Sequence, residues 1–169
     1  RDRFANSLLL ESSDYHGEEN SFSYICCQPL ATFEAQGQQI TQQLPEQKQQ
    51  KIESTAVLED LKAFSRSFVS EKESVKYIQT GLFGYMSYDA VKHFEEIEVQ
   101  ECEEKIPEIR YGLYQFVIAF DHFRNQCYVI ETYLNLPDDA LIDEVVDLVH
   151  RQSTPKFKFE RQGASTSDI

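Results

Sequence analysis

Chemistry in this chain would have to start from its few reactive side chains, so their types and spacing are the first thing to weigh. The four histidines are His16, His93, His122 and His150. An active site needs a base, a nucleophile or metal ligands, and electrophilic support brought together. Asp121-His122 has the composition of an acid–base pair, but adjacent residues rarely point at one another, and both types are common in hairpin turns. His16 sits beside Gly17 in a polar stretch and reads as solvated. His93 sits one residue before Phe94 on an expected short helix and makes no convincing site, and His150 is explained by the favourable charge it places at a helix C-terminus. Cys26 and Cys27 are neighbours, so on a strand they point to opposite faces and suit neither a chelate nor a mutual disulfide. With Cys102 and Cys127 they form no CxxC and no zinc spacing, which leaves reduced core thiols. Gly81-Leu82-Phe83-Gly84 resembles a piece of a phosphate loop, yet no Lys-Ser/Thr follows and no third glycine completes a dinucleotide fingerprint. Close packing of a buried strand is the better reason for those glycines. No catalytic residue and no metal ligand is assigned.

The elements that would position these residues follow from pattern and composition. The chain has 169 residues, 41% of them hydrophobic and 12% aromatic, enough for one domain with a real core. The net charge of −13 is spread along the chain and would repel a phosphate backbone, which argues against nucleic acid as a partner. No apolar run reaches the ~20 residues of a membrane-spanning helix, so no membrane partner is expected, and the cytoplasm is the expected location.

Residues 4–11 read as a strand with Leu8-Leu9-Leu10 as its buried centre, and residues 22–35 as one or two strands, with Pro29 marking a break or an edge position. Gly37 marks a turn before a short strand through Ile40. The Gln-rich residues 38–53 read as a solvated loop. Ser54 or Thr55 can cap a helix to about Val69, whose Val57, Leu61, Phe64 and Phe68 share one face. Residues 81–89 form a buried strand, and a short helix follows from Asp89 to near Phe94. Residues 95–108 read as an acidic loop. Residues 111–120 and 126–133 are strands joined by a hairpin, and a helix runs from Pro137 to about Arg151. The order without strict alternation predicts an α+β fold, a mostly antiparallel sheet packed with a few helices.

Three stretches in order resemble the anthranilate synthase component I family. Leu9-Leu10-Glu11-Ser12 is similar to its LLES motif, Ser23-Tyr24-Ile25 through Pro29 to Phe33 to its following strand pair, and Gly81 through Val91 to its GxxGYxSYDxV segment. The resemblance implies the amino-terminal domain of that family over residues 1–151, with residues 152–169 as connector to a catalytic chorismate-binding domain. Arg1 in place of an initiator Met, and helix-capping residues 165–168 without a helix, read as cuts in a longer chain. The resemblance also implies a lyase that makes anthranilate and pyruvate from chorismate and ammonia in tryptophan biosynthesis. Ammonia would come from glutamine through an amidotransferase partner, component II, and Mg²⁺ would be held in the catalytic part. Carried onto this chain, Leu10, Glu11 and Ser12 would line a feedback site for tryptophan, with Leu10 as wall and the carboxylate and hydroxyl as polar partners. Without the resemblance, Glu11 and Ser12 read as a strand end entering a turn. Some relatives place a basic residue on the next strand, but here no Lys or Arg occurs between Arg3 and Lys48. Component I of aminodeoxychorismate synthase, in the folate pathway, shares the architecture. Isochorismate and salicylate synthases match these motifs poorly, and a stand-alone amino-acid-binding module is the alternative of another class.

Overall fold

The computed structural model describes residues 4–11, 21–70, 75, 77–97, 106–134 and 141–151. Two long strands dominate it. Strand β2 (Phe22–Gln36) and β6 (Ile109–Asp121) pair antiparallel over nearly their whole length. Around them lie β1 (Leu8–Leu10), β3 (Gln39–Gln43), β4 (Gln50–Glu53), β5 (Leu82–Met86) and β7 (Gln126–Glu131). All pairings are antiparallel in the order β4-β3-β2-β6-β5, with β1 added to β2 and β7 to β6. Helices α1 (Val57–Arg66) and α2 (Ile142–His150) and a 3₁₀ turn at Tyr88–His93 complete the described chain. The expected α+β class with a mostly antiparallel sheet is the one observed.

The sheet is strongly bent. Tyr24 pairs with Ala119 and Phe83 pairs with Gly112, seven positions apart on β6. Seven extended residues would span about 23 Å, yet the two rings have centroids 5.9 Å apart. The bend falls where the β2–β6 register shifts between Pro29 and Ala31, next to Gln28 in the left-handed region at φ 58°. A bulge of this kind bends its strand and adds twist.

Burial follows the bend. Val57, Leu61 and Phe64 present one face of α1, continued by Phe68 just past its end, to Ala31, Phe33, Ala35, Ile40 and Leu113, and Phe64 sits between the rings of Phe33 and Phe68. The helical spacing in the sequence anticipated that face. Cys26, Tyr24 and Val117 meet Phe83 and Tyr114 in a second cluster, where the two ends of the bent sheet come together. Cys27, Phe116 and Ile118 pack against Val145 of α2. Cys26 and Cys27 therefore do point to opposite faces of their strand.

Several expectations need correction. Residues 38–53 are a β-hairpin, β3 with β4, rather than a loop. The first strand is three residues long because Asn6, at φ 56°, turns the chain just before it, and its Leu9 is 61% exposed. Only Leu8 and Leu10 pack inward, as alternation on a strand dictates. Helix α1 begins at Val57 after Ala56 with no side-chain cap, although Ser54 Oγ does accept the Ala56 N–H at 3.0 Å. It ends at Arg66, three residues before the expected Val69. The first turn expected for α2, with Pro137, Asp138 and Asp139, lies outside the described residues, as does the connector 152–169.

Candidate functional site

The residues singled out for ligand contact lie at the carboxyl end of β1. Leu10 pairs with Tyr24 and packs, half-buried, against the cluster of Cys26, Phe83 and Tyr114. Glu11 follows directly, exposed and without a partner among the described residues. Ser12 lies outside the described residues. The strand thus holds Leu10 as a wall and delivers Glu11 to solvent, while a contact between Glu11 and Ser12 is not on view.

Sequence reasoning missed a second grouping, centred on Glu108. Its carboxylate is only 3% exposed and takes Lys92 Nζ at 2.5 Å on Oε1, with His93 Nε2 at 2.9 Å on Oε2. Gln36 Nε2 donates to Oε1 at 3.1 Å. Burial raises the carboxyl's proton affinity, but the bonds from Lys92, His93 and the Gly37 N–H outweigh it and hold the group below its usual range. The Glu108 backbone is engaged too, donating to Ala35 O and accepting from Ser87 N. The carboxylate thus takes donors from Lys92, His93, Gln36 and Gly37, and the cluster ties the 3₁₀ turn to the sheet. Asp89 lies four positions before His93 and Glu96 three after, yet the partner that His93 takes is Glu108, 15 residues away through the fold.

The other titratable groups are likewise structural. His122 Nε2 lies 2.7 Å from Ser23 Oγ, while Asp121 accepts the Arg124 N–H at 2.9 Å, so the adjacent Asp121-His122 do not act as a pair. Burial pushes the Cys26 thiol up to about 12, with a smaller contribution from neighbouring Cys27. Such a thiol stays protonated at neutral pH and is a poor nucleophile. Cys27 is also raised by burial, Cys127 is exposed, and Cys102 lies outside the described residues. Among the described residues no group of three or more His, Cys, Asp or Glu could hold a metal ion. Among them, too, no helix is long and apolar enough to cross a membrane.

The geometry thus offers a wall-and-carboxylate corner at the end of β1 and no catalytic constellation, and comparison with known proteins supplies the context. Residues 6–167 match the family model described as chorismate binding enzyme. The chain belongs to the chorismate binding enzyme family. Among curated proteins it is 30% identical over 145 residues to "Anthranilate synthase component 1" of Methanothermobacter marburgensis, covering 84% of this chain and 30% of that protein. A shorter stretch of 69 residues is 33% identical to "Anthranilate synthase alpha subunit 2, chloroplastic" of Arabidopsis thaliana, covering 38% of this chain and 11% of that one. The fold is shared with anthranilate synthase component I from Streptococcus pneumoniae, at a TM-score of 0.59 and 19% identity over 89% of this chain and 33% of that chain. The chain spans a third or less of the length of each of these relatives.

Proposed function

We propose that this chain is the amino-terminal domain of an anthranilate synthase component I, in which residues 1–151 regulate and brace a catalytic chorismate-binding part reached through residues 152–169. In the complete protein, chorismate and ammonia give anthranilate and pyruvate, and the ammonia derives from glutamine through a component II amidotransferase. The Mg²⁺ of that reaction would be held by the catalytic part, since the described residues here offer no metal-binding group. A cytoplasmic location suits such an enzyme.

The observation that carries this reading is the match to the chorismate binding enzyme family across residues 6–167, together with the likeness to anthranilate synthase component 1 over most of the chain. The end of β1 supports the regulatory role. Leu10 is anchored in the core while Glu11 is exposed and without a partner among the described residues, so its carboxylate is available to the ammonium group of tryptophan. Ser12 would add its hydroxyl to the same ligand.

The test is to join the chain to its own downstream sequence and supply chorismate, Mg²⁺ and ammonium. Anthranilate, identified by its fluorescence and mass, is the expected product, and tryptophan should inhibit its formation. An aminodeoxychorismate product would instead place the protein in the folate pathway, and no turnover of chorismate would defeat the proposal.

A further inference from the structure

The opposite end of β1 opens on a cleft of about 400 Å³ whose walls include Asn6, Ser7, Phe83, Tyr85, Arg110 and Tyr114. A smaller cleft of about 220 Å³ adjoins it, sharing Asn6, Arg110 and Tyr114 and adding Glu34. Neither takes part in the Glu108 cluster, and neither includes Leu10 or Glu11.

Two polar groups in the cleft are incompletely used. Arg110 forms an ion pair through Nε with Glu34 Oε1 at 3.1 Å, and its terminal guanidinium nitrogens have no further partner among the described residues. Tyr114 is only 7% exposed as a residue, and its hydroxyl has no hydrogen-bond partner among the described residues; it is not one of the fully buried unpartnered atoms, so it is open to the cleft. The local sequence explains how the ring comes to lie there. A Cβ at Gly112 would come within 2.9 Å of the Tyr114 ring and 3.3 Å of its hydroxyl, so the glycine leaves room for the phenol to lie back along β6. That direction leads toward Arg110, and both side chains line both clefts.

We propose that the larger cleft binds a small aromatic carboxylate, with its anion on the terminal nitrogens of Arg110 and the Tyr114 hydroxyl and its ring against Phe83 and Tyr85. The planar guanidinium fork matches a carboxylate, and a phenol hydroxyl can donate a second bond to the same oxygen. Glu34 favours a monoanion over a phosphate dianion. Its single negative charge balances that of Arg110, so the pair offers directed N–H donors rather than net positive charge, and a doubly charged ligand is repelled by Glu34 more strongly than a monoanion. It also engages Nε and so holds the guanidinium with its terminal nitrogens free. The volume suits a small ligand, and aromatic walls with a few convergent polar groups are usual for such sites.

Titration calorimetry of the full chain with benzoate, and with benzamide as the uncharged isostere, tests the assignment. Benzoate should bind at concentrations of roughly 10 mM or below, in the range of a fragment-sized ligand, and benzamide markedly more weakly. Arg110→Gln should weaken benzoate about tenfold or more. Glu34→Gln should tighten it, because the competing carboxylate is gone, an effect that a merely structural Glu34 would not produce. Tyr114→Phe removes a hydroxyl with no protein partner, so the melting temperature should hold while affinity falls about 3- to 10-fold. That variant decides the matter even if Arg110→Gln does not fold. Equal binding of benzamide and benzoate, no benzoate binding, or full affinity in Tyr114→Phe would each overturn the proposal.

Discussion

Gly84 shows how much a single position can be constrained. A methyl group there would overlap the backbone oxygen of Arg110 and lie 2.7 Å from Tyr111 Cα, both on the neighbouring strand β6. Backbone cannot step aside as a flexible side chain can, so Gly84→Ala should lower stability by roughly 1–3 kcal/mol, read from a urea melt. Gly81 differs, because its added Cβ would meet nothing and only its φ of 153° disfavours alanine. The sequence offered one explanation for both glycines, close packing, and only Gly84 bears it out; backbone dihedrals leave no trace in residue type alone. Ser12 belongs to the same scale. If it meets tryptophan beside Glu11, Ser12→Ala in the complete enzyme should cost about 1–3 kcal/mol of inhibitor binding. That weakens inhibition roughly 5- to 150-fold while turnover stays unchanged. Unaltered inhibition would remove Ser12 from the pocket.

Among the elements, the 3₁₀ turn at Tyr88–His93 depends most on one carboxylate. Glu108 has its proton affinity depressed in the folded chain, so its contribution to stability is present above its ordinary value of 4.5 and is lost as pH falls through the lower folded value. Stability should therefore decline on acidification below about pH 4.5, where this contribution begins to disappear. Glu108→Gln should cost roughly 1–3 kcal/mol at neutral pH and flatten that decline, as seen in denaturant melts across pH. An unchanged acid slope in the variant would show that other carboxylates govern it. None of this was legible beforehand, since Glu108 meets partners 15 and 72 positions away. What the sequence does convey are elements with strong local pattern. The α1 stripe and the β6–β7 hairpin were legible, and Pro29 marks a register shift within one continuous β2 rather than a break. The hairpin of β3 and β4 was not, because Gln has weak strand propensity and only Ile40 and Ile52 punctuate it. Pairing with β2, a tertiary contact, makes β3 a strand. The candidate site divides likewise: motif resemblance picked out Leu10 and Glu11, whereas the Arg110–Tyr114 cleft arises only when β6 lies beside β5 and the approach to β1.

For the molecule as a whole, the question is whether this stretch can carry out chorismate chemistry without further sequence. The net charge of −13 surrounds a fold whose buried carboxylates, among the described residues, are already paired, Glu108 with Lys92 and His93 and Asp121 with Arg124. Chorismate is a dicarboxylate, so its binding calls for cationic groups in a cleft. Among the described residues, the cleft at Arg110 offers one guanidinium, already shared with Glu34, and another of about 340 Å³ is lined by Arg66 and by Lys62, which is paired with Glu59. A third, of about 650 Å³, is lined by Phe68, Val69, Leu82, Tyr133 and Leu134 with no cation among its walls. Residues 1–169 alone, mixed with chorismate, Mg²⁺ and ammonium, should therefore give no anthranilate fluorescence above the uncatalysed background. The same residues joined to their downstream sequence should give a clear rate. Comparing the two preparations separates a domain that lacks catalytic groups from a protein that never had the activity. Turnover by residues 1–169 alone would mean that a catalytic site lies within them, and would refute the assignment of catalysis to another part of the protein.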